Sequence, residues 1–359
     1  MFNALPTTSQ DFYVSILSAS IQALKMNTYF DNFDKQRYNS DGVDRSGVFE
    51  VGQRTFYFDW FYRHHNDLYQ AYSALGNDDS KLLYLFLIGY RLAGHHSVKI
   101  PVDFLFKPQE YAAFQALEQG TESQLALTGM FGKLKHFDFQ FEGHQYKIDC
   151  LGLEYYLFRR QYFYEKNGVV IAPQTGDYVI DGGACTGDTA LVFSNAVGPT
   201  GRVFAFDPVA EHLELMAHNR QQFPLANVEL MPYGLSNIDV DCAPIVVNKY
   251  SPGFRIDQQK VPLRTIDSLV RSGDIARVDY IKMDIEGSEM DALRGAHESI
   301  MRFQPKLGIS LYHKPNDLFE IVLYLQQSYP FYQLYVDHYT IHQEETVLYC
   351  VAPQRVSQA

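Results

Sequence analysis

The stretch Tyr178-Val179-Ile180-Asp181-Gly182-Gly183-Ala184-Cys185-Thr186-Gly187-Asp188-Thr189 constrains the fold more than any other part of this 359-residue chain. An apolar run enters a glycine-rich turn that opens a helix. Such a unit aims backbone N–H groups and the positive end of a helix at a ligand, and its glycines let the ligand approach the main chain closely. From residue 176 onward the pattern repeats, with strands expected over 178–182, 202–206, 228–231, 279–283 and 306–311. Helices are expected near 188–196, 209–222, 289–303 and 317–328. Strands separated by helices of about 10–15 residues build parallel βαβ units. Two last strands, 331–337 and 346–352, follow each other through a short link and read as an antiparallel hairpin at one sheet edge. The expected class is therefore α/β, with a mostly parallel Rossmann-like sheet finished by that hairpin.

The ligand is narrowed by charge and spacing. A dinucleotide fingerprint reads G-x-G-x-x-G, but counting from Gly183 its third position is Cys185, and from Gly182 it is Ala184. What stands here is Asp181, Gly183, Gly187 and Asp188. A carboxylate in such a loop repels a pyrophosphate and attracts a cation. Ligands of open parallel sheets bind outside the carboxyl ends of the strands, so the other strand ends matter. Asp207 closes the second strand, where a carboxylate can accept two hydrogen bonds from a ribose diol; NAD enzymes carry an acid at the same point, and the residue would equally cap the next helix. Gly234, beside Tyr233, ends the third and leaves room for an adenine face. After the fourth come Asp284, Glu286 and Glu289, a density of like charge that calls for a cation or donors to offset it. His313 follows the fifth and His338 the sixth, and a neutral imidazole there can remove a hydroxyl proton near pH 7.

The first half reads differently. Residues 1–30 carry an amphipathic helix pattern, and 31–48 an acidic loop whose spacing does not match a calcium loop. A β-hairpin is expected over 48–57, followed by a helix. Gly76 to Ser80 caps a strongly apolar helix over 81–92 that Gly94 ends. The pairs His64-His65 and His95-His96 are adjacent in sequence, so they do not share a helix face on which to chelate one ion. A helix over 111–118 and a second hairpin over 136–150 follow. The aromatic segment 153–164, with Arg159 and Arg160, reads either as a lid over the ligand or as a seal of the core. The domain expectation is a mainly helical α+β domain over 1–135, serving the substrate pocket or dimerisation, and a ligand-binding domain over 136–359.

A hydrophobic share of 46% supports real cores, and a net charge of −12 argues against nucleic acid or an anionic membrane as a partner held by general electrostatics. No apolar run approaches the roughly 18 residues that span a bilayer. With no secretory pattern at the amino terminus, cytoplasmic residence is the expectation. Four cysteines are scattered without metal-ligand spacing.

The combination Val179-Ile180-Asp181-Gly182-Gly183-Ala184, then Ile281-Lys282-Met283-Asp284-Ile285-Glu286-Gly287-Ser288-Glu289 with Leu293-Arg294-Gly295-Ala296, and finally Glu345-Thr346-Val347-Leu348-Tyr349 resembles the FkbM family of S-adenosylmethionine-dependent O-methyltransferases. The resemblance covers about residues 165–352. It implies a class I methyltransferase fold and methyl transfer to a hydroxyl of a small molecule, glycan or natural product. By it, Asp181, Gly183 and Gly187 hold the methionine part, Asp207 the ribose, and Asp284 and Glu286 line the reaction centre; Asp188 and Gly234 join the expected cofactor site from their places in the loop and at the third strand end. His313 is the first choice of general base, then Asp284 or Glu286, with His338 behind. A divalent cation held by Asp284 and Glu286 stays open, as does a homodimer. Two departures stand out: members usually carry asparagine where this chain has Cys185, and the ribose acid is often glutamate where this chain has Asp207. The alternatives are an NAD(P)-dependent dehydrogenase and a non-catalytic binding protein on the same fold.

Overall fold

In the computed structural model, residues 1–2, 4–26, 29–35, 51–102, 112, 121–125, 134–246 and 258–353 are described. The chain falls into two compact units, Met1–Asp103 with Ser310–Pro353, and Phe104–Ile309 with Gln354–Ala359. The sequence expectation put a boundary after residue 135, whereas these units divide after residues 103 and 309.

The first unit begins with helices α1 (Ser9–Met26), α2 (Val51–Ala74) and α3 (Asp78–Ala93). Phe12, Ile16 and Ala19 recur at helical spacing and form the buried face of α1. The β-hairpin expected over 48–57 is not found: from residue 51 the chain is helical, and its earlier part lies outside the described residues. The alternating aromatics imitate a two-residue period over a short window, but Phe61, Leu68, Tyr72 and Leu75 are buried at spacings of seven, four and three, one face of a helix. α3 is capped as expected, Asn77 accepting from the N–H of Ser80 at 2.8 Å and Gly94 closing the helix at φ 82°. The expected loop over 31–48 and the helix over 111–118 fall largely outside the described residues.

The second unit holds strands β1 (Thr121–Glu122), β2 (Lys135–Phe141) and β3 (His144–Cys150), of which β2 and β3 are the expected second hairpin. Glu142 and Gly143 turn it with φ of 49° and 81°, the positive pair that a two-residue hairpin turn demands. Short helix α4 (Glu154–Leu157) and the small hairpin β4 (Tyr164–Lys166) and β5 (Val169–Ile171) lead into the parallel series. That series is β6 (Tyr178–Gly182), α5 (Asp188–Val197), β7 (Arg202–Phe206), α6 (Ala210–Arg220) and β8 (Val228–Met231), in close agreement with the periodicity. A three-stranded sheet of β9 (Gly234–Leu235), β10 (Val240–Val246) and β11 (Gln258–Arg264), then α7 (Ile266–Ser272), precedes β12 (Tyr280–Met283). β9 is only two residues long, and β10 and β11 are each interrupted by a proline, Pro244 and Pro262, so no strand alternation announces them.

β13 (Lys306–Ser310) pairs parallel with β12, β12 with β6, β6 with β7, and β7 with β8. The single helix expected over 289–303 is two, α8 (Glu289–Arg294) and α9 (His297–Phe303), parted at Gly295. A side chain at Gly295 would overlap the carbonyl of Ser236, so the chain passes too close for anything larger.

The first unit resumes with α10 (Asp317–Ser328) and the antiparallel pair β14 (Gln333–His338) and β15 (Thr346–Val351). The indole N–H of Trp60 on α2 donates to Asn316 at 3.0 Å, and Tyr84 on α3 donates to the carbonyl of Leu318 at 2.8 Å. Thus the amino-terminal helices and the last 44 residues of the unit share one core. Among the described residues no helix is long and apolar enough to cross a membrane.

Candidate functional site

The site grows from the register of β6 and β12. Lys282 stands directly opposite Asp181 in that ladder, and its ammonium lies 3.0 Å from the Asp181 carboxylate. The same ammonium donates to the carbonyls of Gly182 and Gly183 at 3.0 and 2.9 Å. Both side chains are buried, and the second Asp181 oxygen accepts from the hydroxyl of Thr189 at 2.7 Å. Asp181 therefore anchors the turn from inside the fold, facing Lys282 and Thr189, in contrast to the ligand contact that the motif resemblance implies. Burial alone depresses the Lys282 pKa, but Asp181, Asp284 and Asp188 outweigh it and the net shift is upward.

The turn is closed by backbone bonds. Gly183 and Ala184 donate to the carbonyl of Phe206 at 2.9 and 3.0 Å, and Asp284 donates to that of Gly182 at 3.1 Å. Gly183 has φ 79°, and a Cβ on it would overlap the carbonyl oxygen of Asp284, so the loop and the acid block after β12 touch through a glycine that nothing else replaces. Cys185 takes φ 46°, a left-handed conformation in which asparagine is enriched several-fold, the residue the family pattern carries there. Gly187 forms the N-cap of α5 with φ 85°.

Asp188 opens α5 in a buried position, accepting from the Thr186 hydroxyl at 2.8 Å and the Thr189 N–H at 2.7 Å. Burial, against the pull of those two hydrogen bonds, raises its pKa from 3.8 to about 6. The ionised form is thus disfavoured in the fold: the cost is full above about pH 6 and disappears as pH falls towards 3.8. A cation held by this carboxylate reverses the preference. Affinity for an ammonium-bearing ligand such as S-adenosylhomocysteine is then expected to weaken about tenfold from pH 7 to pH 5. Calorimetric titration across that range checks it, and a profile as flat in the wild type as in Asp188→Asn refutes it.

Asp207 ends β7, and its carboxylate accepts from the N–H of Cys185 at 3.0 Å, the N–H of Val209 at 2.9 Å and Nδ1 of His212 at 3.0 Å. The bond to Val209 shapes the turn that enters α6, but the N-cap of that helix is Val209 itself, so Asp207 does not fill the cap position weighed for it. Three of about four acceptor directions of the carboxylate are thereby used by described residues, and His212 is the donor on a rotatable side chain. Gly234 presses on Leu263 of β11, where a Cβ would stand 2.6 Å from Cδ2, and lies near Pro208. Its small size serves that strand pairing.

Asp284 is half-buried and accepts from the hydroxyl of Tyr162 at 2.8 Å. Glu286 is exposed with φ 55°, while Glu289 is buried and accepts from the N–H of Ile285 at 2.8 Å. The second unit thus brings Asp181, Gly183, Gly187, Asp188, Asp207, Gly234 and Asp284 into one neighbourhood. The two histidines belong to the first unit. His313 follows Tyr312, whose ring lies 4.3 Å from its own. His338 is buried, its Nδ1 2.8 Å from Thr346 Oγ1 and its Nε2 2.6 Å from the carbonyl of His342, and burial lowers its pKa to about 3. With both ring nitrogens engaged inside the hairpin, it has no face for an acceptor.

Sequence reasoning missed Lys282, Tyr162 and His212. A lysine inside an apolar parallel strand, Tyr280-Ile281-Lys282-Met283, was a readable signal, since a buried ammonium needs a buried acid. Tyr162 falls in the aromatic segment 153–164 read as a lid or a seal, but nothing there singled it out, and for His212 no local signal existed.

Residues 181–331 match the family model described as the methyltransferase FkbM domain. A hexuronic acid methyltransferase, AglP, of Haloferax volcanii is 28% identical over 123 residues, which is 33% of this chain and 49% of that protein. The crystal structure of methyltransferase FkbM from Methylobacillus flagellatus KT aligns with a TM-score of 0.51 at 18% identity, over 81% of this chain and 60% of that one. The chain therefore spans about half the length of the curated relative it matches. The structural likeness shows the fold, the class I methyltransferase α/β architecture. Motifs, fold and matched segment agree: residues 181–331 are similar to the methyltransferase FkbM domain.

Proposed function

We propose that this protein is an S-adenosylmethionine-dependent O-methyltransferase acting on a hydroxyl of a small molecule, with sugars the first acceptor class to test. One observation carries the reading: the glycine turn is flanked by two acids, buried Asp188 at the start of α5 and Asp207 at the end of β7. A pyrophosphate would meet repulsion from Asp188, which an ammonium relieves, while Asp207 suits the ribose diol of a nucleoside ligand. The donor set fits this cofactor on that ground. The sugar class is supported by the partial match to a hexuronic acid methyltransferase.

When bound, the cofactor supplies a methyl group made electrophilic by its sulfonium. The chain's part is to hold and align. In our reading Asp188 receives the ammonium, the backbone of Gly183 to Gly187 cradles the methionine end, and Asp207 takes the ribose hydroxyls as His212 swings aside. Lys282 and Asp181 keep the turn rigid from behind. Orientation of this kind contributes on the order of 7–11 kcal/mol in favourable cases. For proton removal from the acceptor we retain His313 and assign His338 to the hairpin.

Titration with S-adenosylhomocysteine and with NAD tests the reading. Binding of the first is expected, and binding of NAD alone would sink the proposal. His313→Ala should keep that binding while losing transfer across a panel of uronic acid glycosides; unchanged transfer removes His313 as base.

A further inference from the structure

We infer that Tyr162 is a positioning residue that fixes Asp284 beside the cofactor turn, an inference that rests on the proposed cofactor reading. Tyr162 lies in the segment that leads into the parallel series, two residues before β4 and outside the strand ends that form the turn. It is nevertheless buried, and its hydroxyl donates to Oδ2 of Asp284 at 2.8 Å across 122 positions of chain.

Its backbone adds a second, independent observation. Tyr162 has φ 70°, a left-handed conformation that is a genuine outlier for a bulky residue, and Arg160 two positions earlier has φ 57°. Such conformations persist only where the surroundings over-determine them, and they cluster at functional sites. Here the surroundings are specific. The carbonyl of Tyr162 accepts from the hydroxyl of Tyr280 on β12 at 2.8 Å. Its ring meets Phe193 of α5 at 6.3 Å with an interplanar angle of 67°. Gly308 on β13 leaves the space: a Cβ there would stand 2.5 Å from the Tyr280 hydroxyl and 3.4 Å from Cδ1 of Tyr162. Lys282, the residue that pins the turn, has its ammonium 5.4 Å from the centre of the same ring.

Tyr162 is therefore seated by β12, β13 and α5, and spends its one hydroxyl proton on Asp284. Buried tyrosine hydroxyls find partners in any fold. What is unusual is a strained backbone held by three elements so that the partner is the acid whose carbonyl lies against Gly183. The consequence is an Asp284 carboxylate whose orientation beside the turn is fixed from within the fold through Oδ2.

A double-mutant cycle on affinity for S-adenosylhomocysteine tests this, using the wild type, Tyr162→Phe, Asp284→Asn and both together, each checked by thermal melting. Phenylalanine keeps the ring and its contacts, so the melting midpoint should move little. Loss of a hydrogen bond to a charged group is expected to weaken binding about tenfold. If Tyr162 acts through Asp284, the double variant binds no more weakly than Asp284→Asn alone. Multiplicative losses, or Tyr162→Phe with wild-type affinity, overturn the inference while leaving the cofactor reading intact. A wild type that binds no S-adenosylhomocysteine overturns both.

Discussion

Lys282→Met is expected to destabilise the fold by about 3–5 kcal/mol, the range found when one partner of a buried ion pair is removed. Methionine fills much of the same volume, so the loss is electrostatic more than steric. Asp181 is left as a fully buried carboxylate whose opposite charge, 3.0 Å away, has gone. The carbonyls of Gly182 and Gly183 also lose their donor, and each unsatisfied buried group adds about 1–3 kcal/mol in the worst case. Denaturant unfolding measures the effect as a fall in midpoint at unchanged slope. The companion Asp181→Asn with Lys282→Met removes the stranded charge and should recover part of the loss, because a neutral pair is often tolerated where half an ion pair is not. A single variant within about 1 kcal/mol of the wild type would show the pair to be far more hydrated than its burial indicates.

Gly183→Ala should abolish measurable binding of S-adenosylhomocysteine, with affinity falling at least about a hundredfold, a loss of roughly 2.7 kcal/mol or more. Two costs combine at this position. The left-handed backbone, φ 79°, disfavours any side chain by roughly 1 kcal/mol. In addition, the new Cβ would overlap the carbonyl oxygen of Asp284, so the end of β6 and the loop after β12 must part. Parting them breaks the Asp284 to Gly182 backbone bond and withdraws Asp284 from the turn. Gly143→Ala is the control, because Gly143 has φ 81° with nothing within 4 Å of the added carbon. It incurs the backbone cost alone, so the difference in melting between the two variants isolates the contact. Equal melting and equal binding for both would refute the tight approach of Gly183 to Asp284.

Most of the second unit was legible in the sequence, and for a local reason. An apolar run such as Val203-Phe204-Ala205-Phe206 and a polar turn such as Asp207-Pro208 announce a buried parallel strand and its end without reference to anything distant. The helix over 317–328 matched residue for residue because Asn316 and the apolar spacing of Leu318, Ile321, Val322 and Leu325 bound it from both sides. Where the pattern was short, as in the aromatic run before Trp60, a helix face was mistaken for strand alternation. Where proline interrupted it, as at Pro244 in β10 and Pro262 in β11, it gave no signal.

What the sequence by itself determined is the alternation of strands and helices in the parallel series, the acid-flanked glycine turn, and the set of residues found at its strand ends. These are properties of neighbours along the chain. Which way each of those residues faces was decided by the tertiary structure alone. The register of β6 against β12 puts Lys282 on Asp181 and turns that acid inward. Packing of the last hairpin closes both nitrogens of His338. The hydroxyl that reaches Asp284 comes from Tyr162, which a one-residue change of register would carry away. Side-chain direction depends on strand pairing and core packing between segments a hundred residues apart, so the same Asp181 that the motif offers to a ligand becomes, in the fold, the post that holds the turn.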